Sequence, residues 1–447
     1  MLIGFRLRNF RSFLGDQTLS YITSHDRSHE STHCIATGIK TIPRLSRSAL
    51  IFGPNASGKS NLLTALSTLR DLVLNSTSLT DARFAALYTP FQLGPSRLLP
   101  TEFEIDVLHT GIRYRYTISY NAHRVLSEQL LVYRTGKSQR WFERRFGNTE
   151  QVDVWEAFSP SFHGAREVWR KATRPKALFL TTAVQLNSEL LLPLFHWFEH
   201  SLCIVFPEDI ADLSSVAKLI QDSQFKARAL RLLHAAGMPI DDVRISERDD
   251  TPSNSPASKV PEDAHVRRGG GRPRIEFLHS QSGSHPAWLD AAVEAAGMHR
   301  LLGLLGPLLA SIDNGKLLAI DDFDTSLHPL LARFVIGLIN QSAANSRSAQ
   351  LLLSSHNTTL MDLDILRRDE IWLVELDVMS SSLLSPLLRS SPRKHEMVAK
   401  GYLKGRYGAV PNIKNDLGAL AANPATKKSG AKTGSGPPVY HSALAVD

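Results

Sequence analysis

IFGPNASGKSNLL, residues 51–63, contains the pattern G-x-x-x-x-G-K-S as Gly53, Gly58, Lys59 and Ser60. Pro54, Asn55, Ala56 and Ser57 fill the loop, and Asn61 follows it. Glycines at these places let successive backbone N–H groups turn toward one point, a nest for the α- and β-phosphates of a nucleotide. A lysine here reaches the β- and γ-phosphates, and a serine hydroxyl after it ligates Mg²⁺. The setting agrees with that chemistry. Four apolar residues, 49–52 (ALIF), predict a strand leading in. Leu62, Leu63, Leu66 and Leu69 recur at helical spacing and predict an amphipathic helix leading out. The start of that helix offers free amides and the positive end of its dipole to phosphate.

The chain has 447 residues, enough to bury a large core, with 43% hydrophobic and 21% charged residues, as in ordinary soluble proteins. Its net charge of +8 permits contact with nucleic acid without requiring it. Two cysteines, Cys34 and Cys203, exclude a disulfide framework, and a reducing cytoplasm is the expected compartment. Arginines interrupt the apolar residues of MLIGFRLRNFRSF, which therefore does not read as a signal peptide. The longest apolar run, residues 301–312, is too short to span a bilayer.

Periodicity divides the chain. Residues 1–150 read as a lobe holding the P-loop and an antiparallel meander, with alternation at Phe103, Ile105 and Val107, then Tyr114, Tyr116 and Ile118. A polar stretch at 24–41 reads as a loop. Residues 151–246 lose the alternation and read as a mostly helical insertion. Ser, Pro, Asp and Gly crowd residues 247–273, which read as a flexible linker. Residues 274–416 read as a second lobe, and the Ala/Gly/Pro/Lys-rich 417–447 as a disordered tail.

The second lobe carries LLAI followed by DDFDTSLHP. Four apolar residues leading into Asp321 predict a buried strand that delivers a carboxylate to its C-terminal edge, where open α/β sheets keep their ligands. Asp321 would hold Mg²⁺, through water or via Ser60, and Asp322 stands where a general base would orient the attacking water. A second strand, QLLLSS, leads into His356, placed to contact the γ-phosphate. Lys59 and Asp321 are 262 residues apart (321 − 59), much farther than in compact ring-forming ATPases.

These stretches resemble the ABC-type head of the SMC and RecF group. More closely, the chain resembles the OLD-like ATPases, including the restriction-linked RloA and abortive-infection AbiL type. The matching text is NFRSF at 9–13, GPNASGKSNLL at 53–63 and PTEFEIDV at 100–107. It continues with AIDDFDTSLHP at 319–329, SSHNTTLMD at 354–362, LRRDEIWLVE at 366–375 and GYLKGRYGAVP at 401–411. The resemblance implies an α/β fold: an ABC-type P-loop NTPase head with an antiparallel β subdomain and a helical insertion. It implies ATP and Mg²⁺ as ligands and a homodimer with ATP sandwiched between the P-loop of one subunit and a signature sequence on the other. The signature falls at Glu294-Ala295-Ala296-Gly297-Met298, before a helix at 299–310. Gly297 keeps the position where a Cβ would crowd phosphate, whereas Ala295 stands where the family usually has Ser. A hydroxyl donor to a charged group is worth about 1.5–3 kcal/mol, so its loss would weaken closure on ATP unless Arg300 or His299 compensates. Asp322 stands where many such heads carry Glu, which suggests slow but real hydrolysis. His356 is carried over as the switch histidine, beginning a helix capped near Asn357. Gln92, in PFQLG, is the candidate Mg²⁺-sensing glutamine.

Other clusters read more plainly. His25, His29, His33 and Cys34 have the types of zinc ligands but sit in a polar segment with no paired second cluster, and read as a solvated loop. Arg267, Arg268, Arg272 and Arg274 around three glycines read as a basic linker rather than a minor-groove arm. His279 and the tryptophans Trp169, Trp288 and Trp372 read as structural, and Arg406 as a contact to nucleotide or to a neighbouring subunit. No nuclease motif follows Val374, so cutting nucleic acid would fall to a separately encoded effector. The expected function is therefore an ATPase sensor or motor of a bacterial anti-phage or restriction-linked system. The alternatives are a RecF/SMC-like DNA-repair ATPase and a non-hydrolysing scaffold.

Overall fold

A computed structural model describes residues 1–134, 136–147, 149, 151–211, 213–246, 274–280, 285–341, 343–393 and 396–411. The linker at 247–273 and the tail from 417 onward lie outside them, as do Arg267, Arg268 and Arg272.

The apolar runs that flank the motifs become one six-stranded sheet. Its strand order is Leu202–Val205, Leu317–Ile320, Gln350–Ser355, Ser48–Phe52, Ile371–Leu376 and Ser382–Pro386. The first five run parallel and the last is antiparallel to its neighbour. Every residue of 48–52, 317–320 and 350–355 is buried, as a parallel sheet covered on both faces requires. The pleat divides these side chains between two cores. Ala49, Ile51, Leu317, Ala319 and Leu352 pack toward one side with Leu62, Leu66 and Leu69 of the P-loop helix. Leu50, Phe52, Leu318, Ile320, Leu351 and Leu353 pack toward the other with Leu301, Leu304, Leu305 and Leu308 of the helix Ala296–Asn314. Burying a Leu or Ile side chain contributes roughly 1.5–3 kcal/mol, so the alternation alone fixes which way each strand faces.

A seven-stranded antiparallel sheet has the order Val152–Trp155, Gln139–Gly147, Val125–Tyr133, Ile112–Tyr120, Thr101–His109, Leu2–Arg8 and Gln17–Ser20. It is the expected meander with the two N-terminal strands added, and the buried Tyr114, Tyr116, Ile118 and Tyr120 mark its inner face. Fully buried Glu128 ties this sheet to the helix Phe179–Gln185. Its carboxylate accepts from the amides of Phe179 (2.7 Å) and Leu180 (2.9 Å), from Tyr116 Oη (2.8 Å) and from Arg144 Nε (3.0 Å). Two free amides of a helix start thus meet a carboxylate inside the core.

Three element readings change. The region read as a helical insertion contributes the strand Leu202–Val205 to the six-stranded sheet, directly beside Leu317–Ile320. It also holds the strands Val152–Trp155 and Asp242–Ser246. The stretch read as a loop at 24–41 forms the short helix Glu30–His33 and the strand Cys34–Ile39, which pairs with Ile42–Ser46. The helix expected from 299 starts at Ala296, so most of the signature lies in its first turn.

Candidate nucleotide site

The P-loop leaves the strand Ser48–Phe52 and ends on Gly58, which precedes the helix Lys59–Asn75. Gly58 has φ 111°, and an added Cβ would lie 2.3 Å from Ser382 Oγ and 2.7 Å from Ser12 Oγ, so only glycine fits. No side chain caps this helix, leaving its first amides free for a ligand. The loop is braced by distant serines. Ser382 Oγ bonds the Ser57 carbonyl (2.5 Å) and Ser12 Oγ (2.7 Å), and Asn61 Nδ2 donates to Ser12 Oγ (2.8 Å).

Lys59 is buried, and its ammonium donates to the carbonyls of Gly53 (2.9 Å) and Pro54 (3.0 Å). Burial pushes its pKa down to about 8, opposed by the nearby carboxylates of Asp322, Asp321 and Asp324. Its third neighbour is His356 Nδ1 at 3.4 Å. An ammonium only donates, so the ring accepts at Nδ1 and, when neutral, carries its proton on Nε2. That nitrogen stands 3.4 Å from Asp322 Oδ1, an oxygen that is buried and has no hydrogen-bond partner. The imidazole therefore bridges the P-loop lysine and the second acidic residue.

Asp321 is buried at the end of its strand. Ser354 Oγ donates to its Oδ1 (2.5 Å) and accepts from the Asp322 amide (2.8 Å). Asp322 has φ 44°, a left-handed conformation that costs a non-glycine residue on the order of 1 kcal/mol. Buried Arg300 holds it there: Nη2 donates to the Asp322 carbonyl at 2.5 Å and lies 3.3 Å from that of Asp321. Asn55, Ala56, Gly58, Lys59, Ser60, Asn61, Asp322 and His356 line one cleft of about 620 Å³. Residues from three strand ends of one parallel sheet thus meet at its carboxyl edge.

The signature region differs from expectation. A Cβ on Gly297 would lie 2.8 Å from the Ser326 carbonyl of the same chain, which by itself requires glycine there. Arg300 points inward to the carbonyls just described, and His299 Nε2 bonds the Ala291 carbonyl. Both are engaged within the chain. Gln92 donates to the Pro90 carbonyl (2.8 Å) and does not line the cleft. His356 is followed by a short 3₁₀ turn, Thr358–Leu360, whose cap is Asn357 accepting from the Thr359 amide.

The remaining candidates fall elsewhere. His33 Nδ1 bonds buried Glu370 (2.8 Å) and His29 Nε2 bonds the Leu363 carbonyl (2.9 Å), so the N-terminal histidines hold structure. His279 pairs with Glu294 (2.9 Å), and Arg406 pairs with Glu396. Trp169 and Trp372 are buried, while Trp288 is half-buried beneath Arg244, 4.2 Å from its ring centre. Four residues of the site went unassigned in the sequence: Ser12, Arg300 as a brace, Ser354 and Ser382. Ser12 and Ser354 sit in motifs that could have drawn attention, NFRSF and SSHNTTLMD.

Residues 48–362, well over half of the chain, match the family described as AAA domain, putative AbiEii toxin, Type IV TA system. The chain belongs to this family. The AAA-domain assignment makes it a P-loop ATPase and takes in both halves of the cleft, from Ser48 to beyond His356. No curated protein matches the sequence. Among solved structures, the chain is similar to an SMC head bound to the C-winged helix domain of ScpA, with 12% identity, 86% of this chain and 96% of that chain covered, and a TM-score of 0.43. The SMC head domain from Thermotoga maritima gives 16%, 86%, 98% and 0.40. The Smc head domain with an extended coiled coil, bound to the C-terminal domain of ScpA derived from Pyrococcus furiosus, gives 12%, 87%, 97% and 0.42. The mainly parallel six-stranded sheet, the loop between Ser48–Phe52 and Lys59–Asn75 and the separate antiparallel sheet make this AAA domain a mixed α/β P-loop fold.

Proposed function

We propose that the chain is the ATP-binding and ATP-hydrolysing subunit of an OLD-like bacterial anti-phage or restriction-linked system, acting as sensor or motor with a separately encoded effector. The observation that carries the enzymatic part is the Lys59–His356–Asp322 bridge in a cleft that also contains Ser60. The family description, which names a putative toxin of a toxin–antitoxin system, supports the defence setting. In this reading the protein works in the cytoplasm, and among the described residues no helix is long and apolar enough to cross a membrane.

The residues suit a triphosphate with its cation. Lys59 has three protons directed to two carbonyls and a ring nitrogen, and it would exchange one of these for a phosphate oxygen. The Ser60 hydroxyl and Asp321 carboxylate are hard oxygen donors suited to Mg²⁺, which would neutralise charge on the phosphates. Residues 53–61 would wrap the phosphates with backbone amides. The Asp322 carboxylate, whose Oδ1 makes no hydrogen bond and lies 3.4 Å from His356 Nε2, would take a proton from the attacking water as its oxygen bonds to the γ-phosphorus and the bond to ADP breaks. His356, held by Lys59, would orient that carboxylate and contact the γ-phosphate. Gly297 would approach ATP on a partner subunit in a homodimer.

ATPase turnover, with and without DNA, together with mass measured with and without ATP, tests this reading. Turnover lost in Lys59→Ala and a dimer formed on ATP would support it. Retained activity in Lys59→Ala would refute the site, and a monomer at all ATP concentrations would refute the composite dimer. Turnover dependent on DNA would favour the RecF/SMC-like alternative.

A further inference from the structure

Away from the nucleotide cleft, the helix Leu192–His196 continues without a break into a π-helical turn, Trp197–Ser201. The wider turn brings His196, Glu199 and His200 together, with one ligating atom from each lying within 4.8 Å of the others. His200 Nε2 is 3.0 Å from Glu199 Oε2, and the two imidazole rings are 5.2 Å apart. Glu199 adds a second observation. Its carboxylate lies in the last turn of the helical stretch, beside the negative end of the dipole, where an anion is unfavourable unless a cation accompanies it.

We propose that His196, Glu199 and His200 bind a transition-metal ion of the Zn²⁺ class. Two imidazole nitrogens and one carboxylate oxygen are the borderline donors that Zn²⁺ prefers over the all-oxygen sets of Mg²⁺ or Ca²⁺. Tetrahedral Zn²⁺ with bonds of about 2.0–2.1 Å sets its ligand atoms roughly 3.3 Å apart, so side-chain rotation would draw these atoms in from a spread of up to 4.8 Å. Two histidines at this H-x-x-E-H spacing hold zinc in a class of metallopeptidases, where the glutamate between them serves as a base. Here His200 is 64% exposed, so the ion would sit in open solvent rather than in a water-excluding cleft, and its role would be structural or regulatory. The position favours that role. Arg70 of the P-loop helix donates to the Phe198 carbonyl within the turn (2.9 Å), and the turn leads into the strand Leu202–Val205, whose Val205 carbonyl accepts from the Asp321 amide (3.0 Å).

The test is titration of the metal-stripped full chain with Zn²⁺ in the absence of nucleotide, and with Co²⁺ as a spectroscopic probe. One ion per chain is expected, with the visible bands of tetrahedral Co²⁺. His196→Ala and His200→Ala should each weaken binding by at least about 100-fold, since even outer-shell changes cost 10- to 100-fold. Glu199→Gln should weaken it less, and a His25→Ala, His29→Ala variant should bind as wild type. Unchanged circular dichroism would show that the variants fold. Absence of stoichiometric binding would overturn the proposal. So would an ion retained by the His196→Ala, His200→Ala double variant, or lost from the His25→Ala, His29→Ala variant.

Discussion

Arg300 donates from Nη2 to the main-chain carbonyl of Asp322 at 2.5 Å, joining the first turns of the signature helix to the acidic corner of the same subunit. The bond holds Asp322 at a left-handed φ that its own conformational preference opposes. Arg300→Lys keeps the charge but loses the guanidinium whose Nη2 lies against both carbonyls. Turnover should fall roughly 10- to 100-fold, the scale of an ångström-sized misplacement of a catalytic group, while ATP affinity changes little. Steady-state kinetics beside equilibrium nucleotide binding would separate the two. An equal loss in both would mean that Arg300 supports folding of the site rather than placement of Asp322.

Asp322→Asn keeps the shape and removes the proton acceptor. Single-turnover hydrolysis should drop at least about 100-fold, within the range that a positioned general base contributes, with ATP still bound. Turnover equal to wild type would exclude Asp322 as the base.

Lys59 gives the site a proton linkage. Burial lowers its pKa to about 8, and an arriving polyanion would raise it again. In the free protein the unfolded chain binds more protons between about pH 8 and the ordinary lysine value near 10.5, so the penalty of burying the charge is full below about 8 and fades as pH rises. For ATP the sign is opposite: affinity should weaken as pH climbs above about 8, and binding near there should take up protons. Calorimetry in buffers of differing ionisation enthalpy measures this uptake directly, and proton release would contradict the assignment.

Glu128 should matter for stability rather than catalysis. Glu128→Ala removes the nearer carboxylate of buried Arg144, leaving it Asp153 at 3.6 Å, and strips two amides of the helix Phe179–Gln185. A buried pair broken on one side typically costs about 3–5 kcal/mol. Denaturant unfolding should show that loss, with any remaining folded fraction binding ATP as wild type does.

How far the sequence could be read followed from what each residue packs against. The strands before Gly53, Asp321 and His356 were legible because strands buried on both faces are written as unbroken apolar runs. The strand Leu202–Val205 was not: four residues after an aromatic- and histidine-rich turn offer no period, and its partner Leu317–Ile320 lies more than a hundred residues away. Ser354 and Ser382 were invisible for a related reason. A serine looks alike in solvent and under a carboxylate, and only the folded chain brings Ser354 to Asp321 and Ser382 to the P-loop. Gly297 was read as a glycine that lets phosphate approach, and the contact the fold adds, the Ser326 carbonyl of its own chain, left no trace in the sequence.

The clamp of Ser382 on Ser57 and Ser12 also bears on biosynthesis. A nascent chain that has emerged only through its P-loop has neither the flanking strands Gln350–Ser355 and Ile371–Leu376 nor the hydroxyl that fastens the loop. Nucleotide capture therefore has to wait until ribosomes have released nearly four hundred residues. Until then the glycine-rich segment is an unfastened stretch beside an unpaired strand.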